Sequence, residues 1–282
     1  MNKINRRKFT RLAASGLAGF SGVGFYTWQI EPHWVEFTQR LLPLKNLPKS
    51  LNDTTLIQLS DLHIGPRVDS NYIIQTLQKV AALKPQLVLI TGDFISYDGD
   101  WVLDELSRVL KLIPRLGQAV YACFGNHDYG ADWSDLMVAE RVRTILNKSG
   151  IKVLNNQIDL FSGLQIVGLD DFWGPNFDPS VVLPSLNPNA PRICLCHNPD
   201  ALDHKGLSDY QGWVLAGHTH GGQCKPPFLN PPILPVKNAL YTAGEIEISR
   251  GRKLYINRGL GHLLKVRFNV RPEVTVFTLK SA

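Results

Sequence analysis

The first half of the chain alternates short apolar runs with stretches of helical periodicity. Leu56-Ile57-Gln58-Leu59-Ser60 reads as a strand ending at Asp61. Apolar positions Ile73, Ile74, Leu77, Val80 and Ala81 recur at helical spacing and predict a helix over 70–84, with Pro85 just beyond it. Leu87-Val88-Leu89-Ile90 is apolar without interruption, as in a strand covered on both faces. Helical periodicity returns over 101–112, a strand follows from Ala119 to Phe124, and a helix over 135–147. Residues 151–170 then read as hairpin-like strands, with Leu164 to Leu169 the strongest, and further strands are predicted at 192–196, 212–216, 245–249, 253–257 and 273–279. This order predicts an α/β fold: two packed sheets with helices outside, in one domain over 54–280. Residues 31–53 are left as a lead-in, and the Pro-rich stretch 225–240 as a surface loop.

Charge divides the chain differently. The formal net charge of +6 suggests an anionic partner, but Lys3, Arg6, Arg7, Lys8 and Arg11 contribute +5 of it. From residue 31 onward, 25 basic residues face 24 acidic ones, so the body offers no compositional case for nucleic-acid binding. The basic run precedes an uncharged, Gly-containing segment, Leu12 to Ile30, near the lower length limit for crossing a bilayer. Residues 1–30 thus have the layout of an export signal or membrane anchor, and an amphipathic first helix is the bland alternative. Asn5-Arg6-Arg7-Lys8-Phe9-Thr10-Arg11 resembles a twin-arginine export motif, except that Thr10 stands where leucine is usual. Export would make the twin-arginine translocase a partner. A spanning segment would put the N-terminus in the cytoplasm and the body outside, whereas a surface-lying one leaves the body on the cytoplasmic side of the inner membrane. Trp28, His33, Trp34 and Phe37 are candidates for a lipid interface. None of Cys123, Cys194, Cys196 and Cys224 forms a C-x-x-C pair, and all four are expected as buried thiols.

Acids and histidines cluster just past the predicted strands: Asp61-Leu62-His63, Gly92-Asp93, Gly125-Asn126-His127-Asp128, His197-Asn198-Pro199-Asp200, and Gly217-His218-Thr219-His220-Gly221-Gly222. Singly, each is ordinary turn chemistry or a satisfied core histidine. Together they hold five of the eight histidines, and strand ends gather in space. A mixed nitrogen and oxygen donor set without cysteine suits manganese, iron or zinc. The donors are too many for one ion, so two divalent ions are expected, with a carboxylate able to bridge them.

As a set, these motifs resemble the calcineurin-like metallophosphoesterases over about residues 54–280. Cys196-His197-Asn198-Pro199-Asp200 and Gly217-His218-Thr219-His220-Gly221-Gly222-Gln223 look like the branch of small bacterial membrane-associated or exported phosphodiesterases. The resemblance implies a β-sandwich flanked by helices, with a dinuclear centre at one edge, manganese being the first expectation for the metal. It implies that Asp61, His63 and His220 bind one ion, that Asn126, His197 and His218 bind the other, and that Asp93 bridges. It further implies that His127 contacts the phosphoryl group and protonates the leaving oxygen, that Asp128 orients it, and that the nucleophile is hydroxide on the ions.

Substrate signals are thinner. Asp170-Asp171-Phe172-Trp173-Gly174 is placed at the mouth. Residues 226–235 carry five prolines with Phe228, Leu229, Ile233 and Leu234, and read either as an apolar rim for lipid or as packing against Tyr241 and the leader. His262 is a candidate for the pocket edge, and Arg258 either reaches a phosphate or faces solvent. The expected activity is hydrolysis of a phosphodiester or pyrophosphate, lipid-linked in one reading, at a membrane. Some relatives in the resembled branch cleave UDP-2,3-diacylglucosamine in lipid A biosynthesis. An exported envelope phosphodiesterase, a nuclease and a non-enzymatic scaffold are the competing readings.

Overall fold

The central strands are buried at nearly every position because each of their faces meets a different layer. The computed structural model describes residues 6–112 and 115–282. Its elements are α1 (Arg6–Phe25), β1 (Glu36–Leu44), β2 (Thr55–Leu59), α2 (Ser70–Ala82), β3 (Leu87–Thr91), α3 (Trp101–Lys111), β4 (Ala119–Cys123) and α4 (Leu136–Lys148). The second half holds β5 (Lys152–Val153), β6 (Gln157–Phe161), β7 (Leu164–Gly168), β8 (Arg192–Leu195), β9 (Gly212–Ala216), β10 (Gly244–Ser249), β11 (Arg252–Ile256) and β12 (Glu273–Ser281). Two six-stranded sheets result, ordered β1-β12-β2-β3-β4-β5 and β10-β11-β9-β8-β7-β6.

Along β3, Val88 and Ile90 join the core under α2, α3 and α4, whereas Leu87 and Leu89 meet Leu164, Ile166, Ile193 and Leu215 of the facing sheet. The second sheet alternates likewise: Ile193 and Leu195 point inward, Cys194 and Cys196 outward into a third cluster with Leu202, Leu207, Tyr210 and Tyr241. This is the predicted sandwich with helices on the outside, but the second sheet is covered by short 3-10 turns such as Pro199–Asp203 and Lys205–Leu207. The side chains of Asp69 and Asp135 cap α2 and α4 by accepting from Asn71 and from Met137 and Val138.

The lead-in predicted over 31–53 contains a nine-residue strand. β1 lies parallel to β12 from Glu36 beside Glu273 to Leu44 beside Ser281. Pro43 and three consecutive exposed residues obscure its alternation, and such a strand is tolerated because it lies at a sheet edge.

The basic leader begins partly outside the described residues. Lys3 and Asn5 are not described, nor are the side chains of Arg6, Lys8, Phe9 and Arg11. Among the described residues no helix is long and apolar enough to cross a membrane. Leu17, Phe20, Val23 and Phe25 of α1 are exposed, and so are Trp28 and Trp34. His33 instead sits edge-on to Tyr72, and Phe37 packs against the main core, so these two are half-buried against the body. The buried Glu31 carboxylate accepts the Val270 N–H at 2.6 Å, joining the leader's end to the last loop. Cys123, Cys194 and Cys196 are buried thiols as expected, while Cys224 is only partly buried.

Candidate metal centre

Strands β2, β3 and β4 are mutually parallel, and so are β7, β8, β9 and β11. Their carboxyl ends therefore open on shared edges of the sandwich. Asp61 and His63 follow β2, Asp93 follows β3, Asn126 to Asp128 follow β4, His197 follows β8, and His218 and His220 follow β9.

The chain must turn sharply at these ends to aim side chains inward. Asp61, His63, Asp93, His218 and His220 all adopt positive φ, between 48° and 69°. Left-handed backbone is uncommon in residues with a Cβ, and its concentration here marks a site whose geometry the surrounding packing enforces. Close approach is permitted by glycine: a Cβ at Gly217 would collide with Ser60 Oγ and the Asp61 carboxylate, and one at Gly125 with the Asp93 carboxylate.

The side chains form two linked groups. Asp61, His63 and His220 converge, with His220 Nε2 3.3 Å from Asp61 Oδ1 and 3.1 Å from His63 Nε2. Asp93, His197 and His218 converge likewise, with His197 Nε2 3.1 Å from Asp93 Oδ2 and 3.2 Å from His218 Nδ1. Asp93 Oδ2 is also 3.5 Å from His63 Nε2, so one carboxylate touches both groups. His127, only partly buried, joins His63 and Asp93 in a third cluster, and its ring is edge-on to His63. Asn126 lies buried with both side-chain polar atoms free of protein partners.

These residues fit divalent metal ions on three counts. The Asn126 amide is a buried polar group without a protein partner, the kind that is costly unless a ligand completes it. The outer nitrogens of three imidazoles are engaged: His63 Nδ1 with Ser96 Oγ at 2.9 Å, His197 Nδ1 with the Thr91 carbonyl at 2.6 Å, and His218 Nε2 with the Pro235 carbonyl at 2.9 Å. Such outer bonds orient a ligating imidazole and leave its inner lone pair facing the site. Burial also pushes His63 and His218 down to about 3, so both are neutral donors at neutral pH. His197 moves upward: burial disfavours its charge, but the adjacent Asp93 carboxylate outweighs it. Burial likewise opposes ionisation of Asp93, yet His197 and His127 hold it well below the usual carboxylate range. His220 differs in its outer contact, with Nδ1 3.4 Å from Arg267 Nη2. That fully buried guanidinium also donates to the carbonyls of Arg258, Gly259 and Gly261.

Three sequence expectations are corrected. Asp128 does not lean on the His127 ring; its carboxylate accepts the backbone N–H groups of Asp93, Phe94 and Gly125. Arg258 neither reaches toward a phosphate nor faces open solvent, because Glu36 and Glu273 pair with it at 2.9 and 3.1 Å. His262 is buried rather than at an edge, bonded through Nε2 to the Arg67 carbonyl. Ser96, Arg267 and Trp133 were not singled out by any motif; only the fold carries them to the site.

The family profile for calcineurin-like phosphoesterases matches residues 54–222. The chain is a calcineurin-like phosphoesterase. It is 32% identical to phosphodiesterase YaeI of Escherichia coli over 98% of this chain and 99% of that one. It is also 32% identical to the uncharacterized metallophosphoesterase YkuE of Bacillus subtilis over 100% and 99%. Its identity to UDP-2,3-diacylglucosamine pyrophosphatase LpxG of Chlamydia trachomatis is 30%, over 81% of this chain and 85% of that one. The phosphoesterase is therefore a metal-dependent hydrolase by family, and the convergent aspartates and histidines supply its candidate ligands.

Proposed function

We propose that this phosphoesterase hydrolyses a phosphodiester or pyrophosphate at a membrane surface, using two divalent ions, manganese first and iron or zinc as alternatives. Asp61, His63 and His220 would hold one ion, Asn126, His197 and His218 the other, and Asp93 both. Bound there, the ions supply Lewis acidity toward a phosphoryl oxygen and a lowered pKa for the attacking water. The chain's own residues orient and protonate. The backbone N–H of His127 is held by Asp93 Oδ1 at 3.0 Å, which leaves its partly exposed ring at the mouth to contact the phosphoryl group and carry a proton to the leaving oxygen. Asp128 keeps the Gly92-Asp93 and Gly125-Asn126 turns in register, a positioning role.

The observation that carries this reading is the shared contact of Asp93 with His63 and His197. Metal analysis of the purified chain, with turnover of bis-p-nitrophenyl phosphate, tests it. Asp93→Asn is expected to lower metal content and to cut turnover by more than roughly 100-fold, the upper end of what an outer-shell change costs. Undiminished activity in that variant would remove the bridging role, and no manganese-, iron- or zinc-dependent turnover against an active control would remove the enzyme reading.

Membrane action is supported by the exposed apolar residues of α1 and by Phe228, Leu229 and Ile233, exposed on the loop that supplies the Pro235 carbonyl to His218. The relative named as a UDP-2,3-diacylglucosamine pyrophosphatase supports that lipid as the specific substrate. Release of UMP from UDP-diacylglucosamine is the direct test. The basic leader supports an exported envelope phosphodiesterase instead, and a reporter fused after residue 282 separates the two by reading which side the body faces.

A further inference from the structure

Two tryptophans, on segments that follow strands of different sheets, meet beside the expected site residues. Trp133 follows the Asn126–Tyr129 turn, and Trp173 follows β7. Their indoles stack with centroids 5.4 Å apart and planes 20° from parallel. Trp133 is edge-on to His127 at 5.8 Å, and Trp173 is edge-on to His218 at 4.5 Å. The pair thus touches both the expected proton donor and an expected metal ligand.

Core packing does not account for the arrangement. Trp133 is 37% exposed and Trp173 36%, so two of the largest apolar side chains stay in contact with water. Trp133 adopts φ 57°, a conformation that is strained for a bulky side chain and persists only where its surroundings enforce it. Trp173 is fixed from the other side, its backbone N–H donating to the buried Asp171 carboxylate at 2.8 Å. Strain and exposure kept together beside reacting groups indicate a surface that is completed by a ligand.

We propose that Trp133 and Trp173 form a stacking subsite for a planar nucleobase-type ring on the substrate arm beside His127. A flat π surface rewards a planar heterocycle, and base-on-aromatic stacking is worth roughly tenfold to hundredfold in affinity. An acyl chain gains only area burial and has a separate candidate surface in Phe228, Leu229 and Ile233. This assignment rests on the phosphoesterase reading for its substrate and names the chemistry of one arm.

The test compares kcat/KM for the methyl ester of uridine monophosphate with that for glycerophosphoglycerol. The full chain is measured beside its Trp133→Ala, Trp173→Ala, Trp133→Phe and Trp173→Phe variants. Quenching of intrinsic fluorescence by UMP and by glycerol phosphate is followed in parallel. The wild type is expected to prefer the nucleotide ester, each alanine to lower that preference at least roughly tenfold, and phenylalanine to restore most of it. UMP should bind more tightly than glycerol phosphate to the wild type and lose that advantage in the alanine variants. Equal binding of the two ligands by the wild type, or a preference that both alanines leave unmoved, overturns the subsite. A chain that binds UMP through the pair yet cleaves neither ester supports the subsite and sinks the hydrolase reading instead.

Discussion

The Asp128 carboxylate accepts the backbone N–H of Asp93 at 3.0 Å, and the same oxygen takes the Gly125 N–H at 2.9 Å. One buried side chain therefore clamps the turn after β3 to the turn after β4, and both turns carry expected ligands. The Phe94 N–H completes the clamp at 2.8 Å. In Asp128→Ala three buried donors lose their acceptor, each a loss of about 1–3 kcal/mol. Urea unfolding should show a destabilisation of roughly 3 kcal/mol or more, with reduced metal content. Asp128→Asn, which keeps one acceptor oxygen, should lose less of both.

Metal removal should act on stability as well as turnover. Ions held by the expected ligands would bind the folded chain alone, because those residues come from five separate turns. Saturating metal at a hundredfold its Kd adds about 2.7 kcal/mol to the folded state for each independent site. Dialysis against a chelator is expected to abolish phosphoester hydrolysis and to lower Tm, and re-addition of manganese, iron or zinc to restore both. A Tm indifferent to chelation would count against ions held by these turns.

His262 makes the fold sensitive to acid. Burial, partly opposed by its bond to the Arg67 carbonyl, pushes the imidazole from 6.5 down to about 4. The unfolded chain therefore binds a proton first as pH falls. The contribution is fully present above about 6.5, fades as pH drops, and is gone below about 4, a change of about 3 kcal/mol. Unfolding free energies of the wild type and of His262→Gln, measured across that window, should converge at the acid end.

The leader should bind membrane through its exposed apolar face. Leu17 and Phe20 stand largely in water on α1, and burying such side chains is worth roughly 1.5–3 kcal/mol each. Co-sedimentation with anionic vesicles should capture the chain, and Leu17→Glu with Phe20→Glu should weaken capture by at least roughly tenfold. Equal capture of both forms would exclude this face.

Most of the sandwich was legible because its strands are short, apolar and punctuated by turns. The unbroken apolar run Leu87 to Ile90 marks a strand covered on both faces. β1 was not legible: Pro43 interrupts it, and its partner β12 lies more than two hundred residues further on. The convergence of Asp61, His63, Asp93, His197, His218 and His220 was legible from motifs, since strand ends of one topology gather. The use made of neighbouring charges was not. On sequence alone Arg258 can reach a phosphate or face solvent, whereas Glu36 and Glu273 pair with it; Asp128 can orient His127, whereas its oxygens accept from backbone donors. Likewise, nothing in the spacing of Trp133 and Trp173 announces a stack.

The place of β12 has a consequence for the order of assembly. It runs antiparallel to β2 and parallel to β1, inserted between two strands that are synthesised long before it. Its first residue also secures the neighbouring loop, the Glu273 N–H donating to the Gly259 carbonyl at 3.1 Å, while the Gly261 N–H donates to the Asp61 carbonyl at 2.6 Å. A nascent chain emerging from the ribosome thus carries every expected ligand before the wall behind Asp61 exists. The first sheet can therefore close only after residues 273–281 have been made, when every expected ligand is already in the chain.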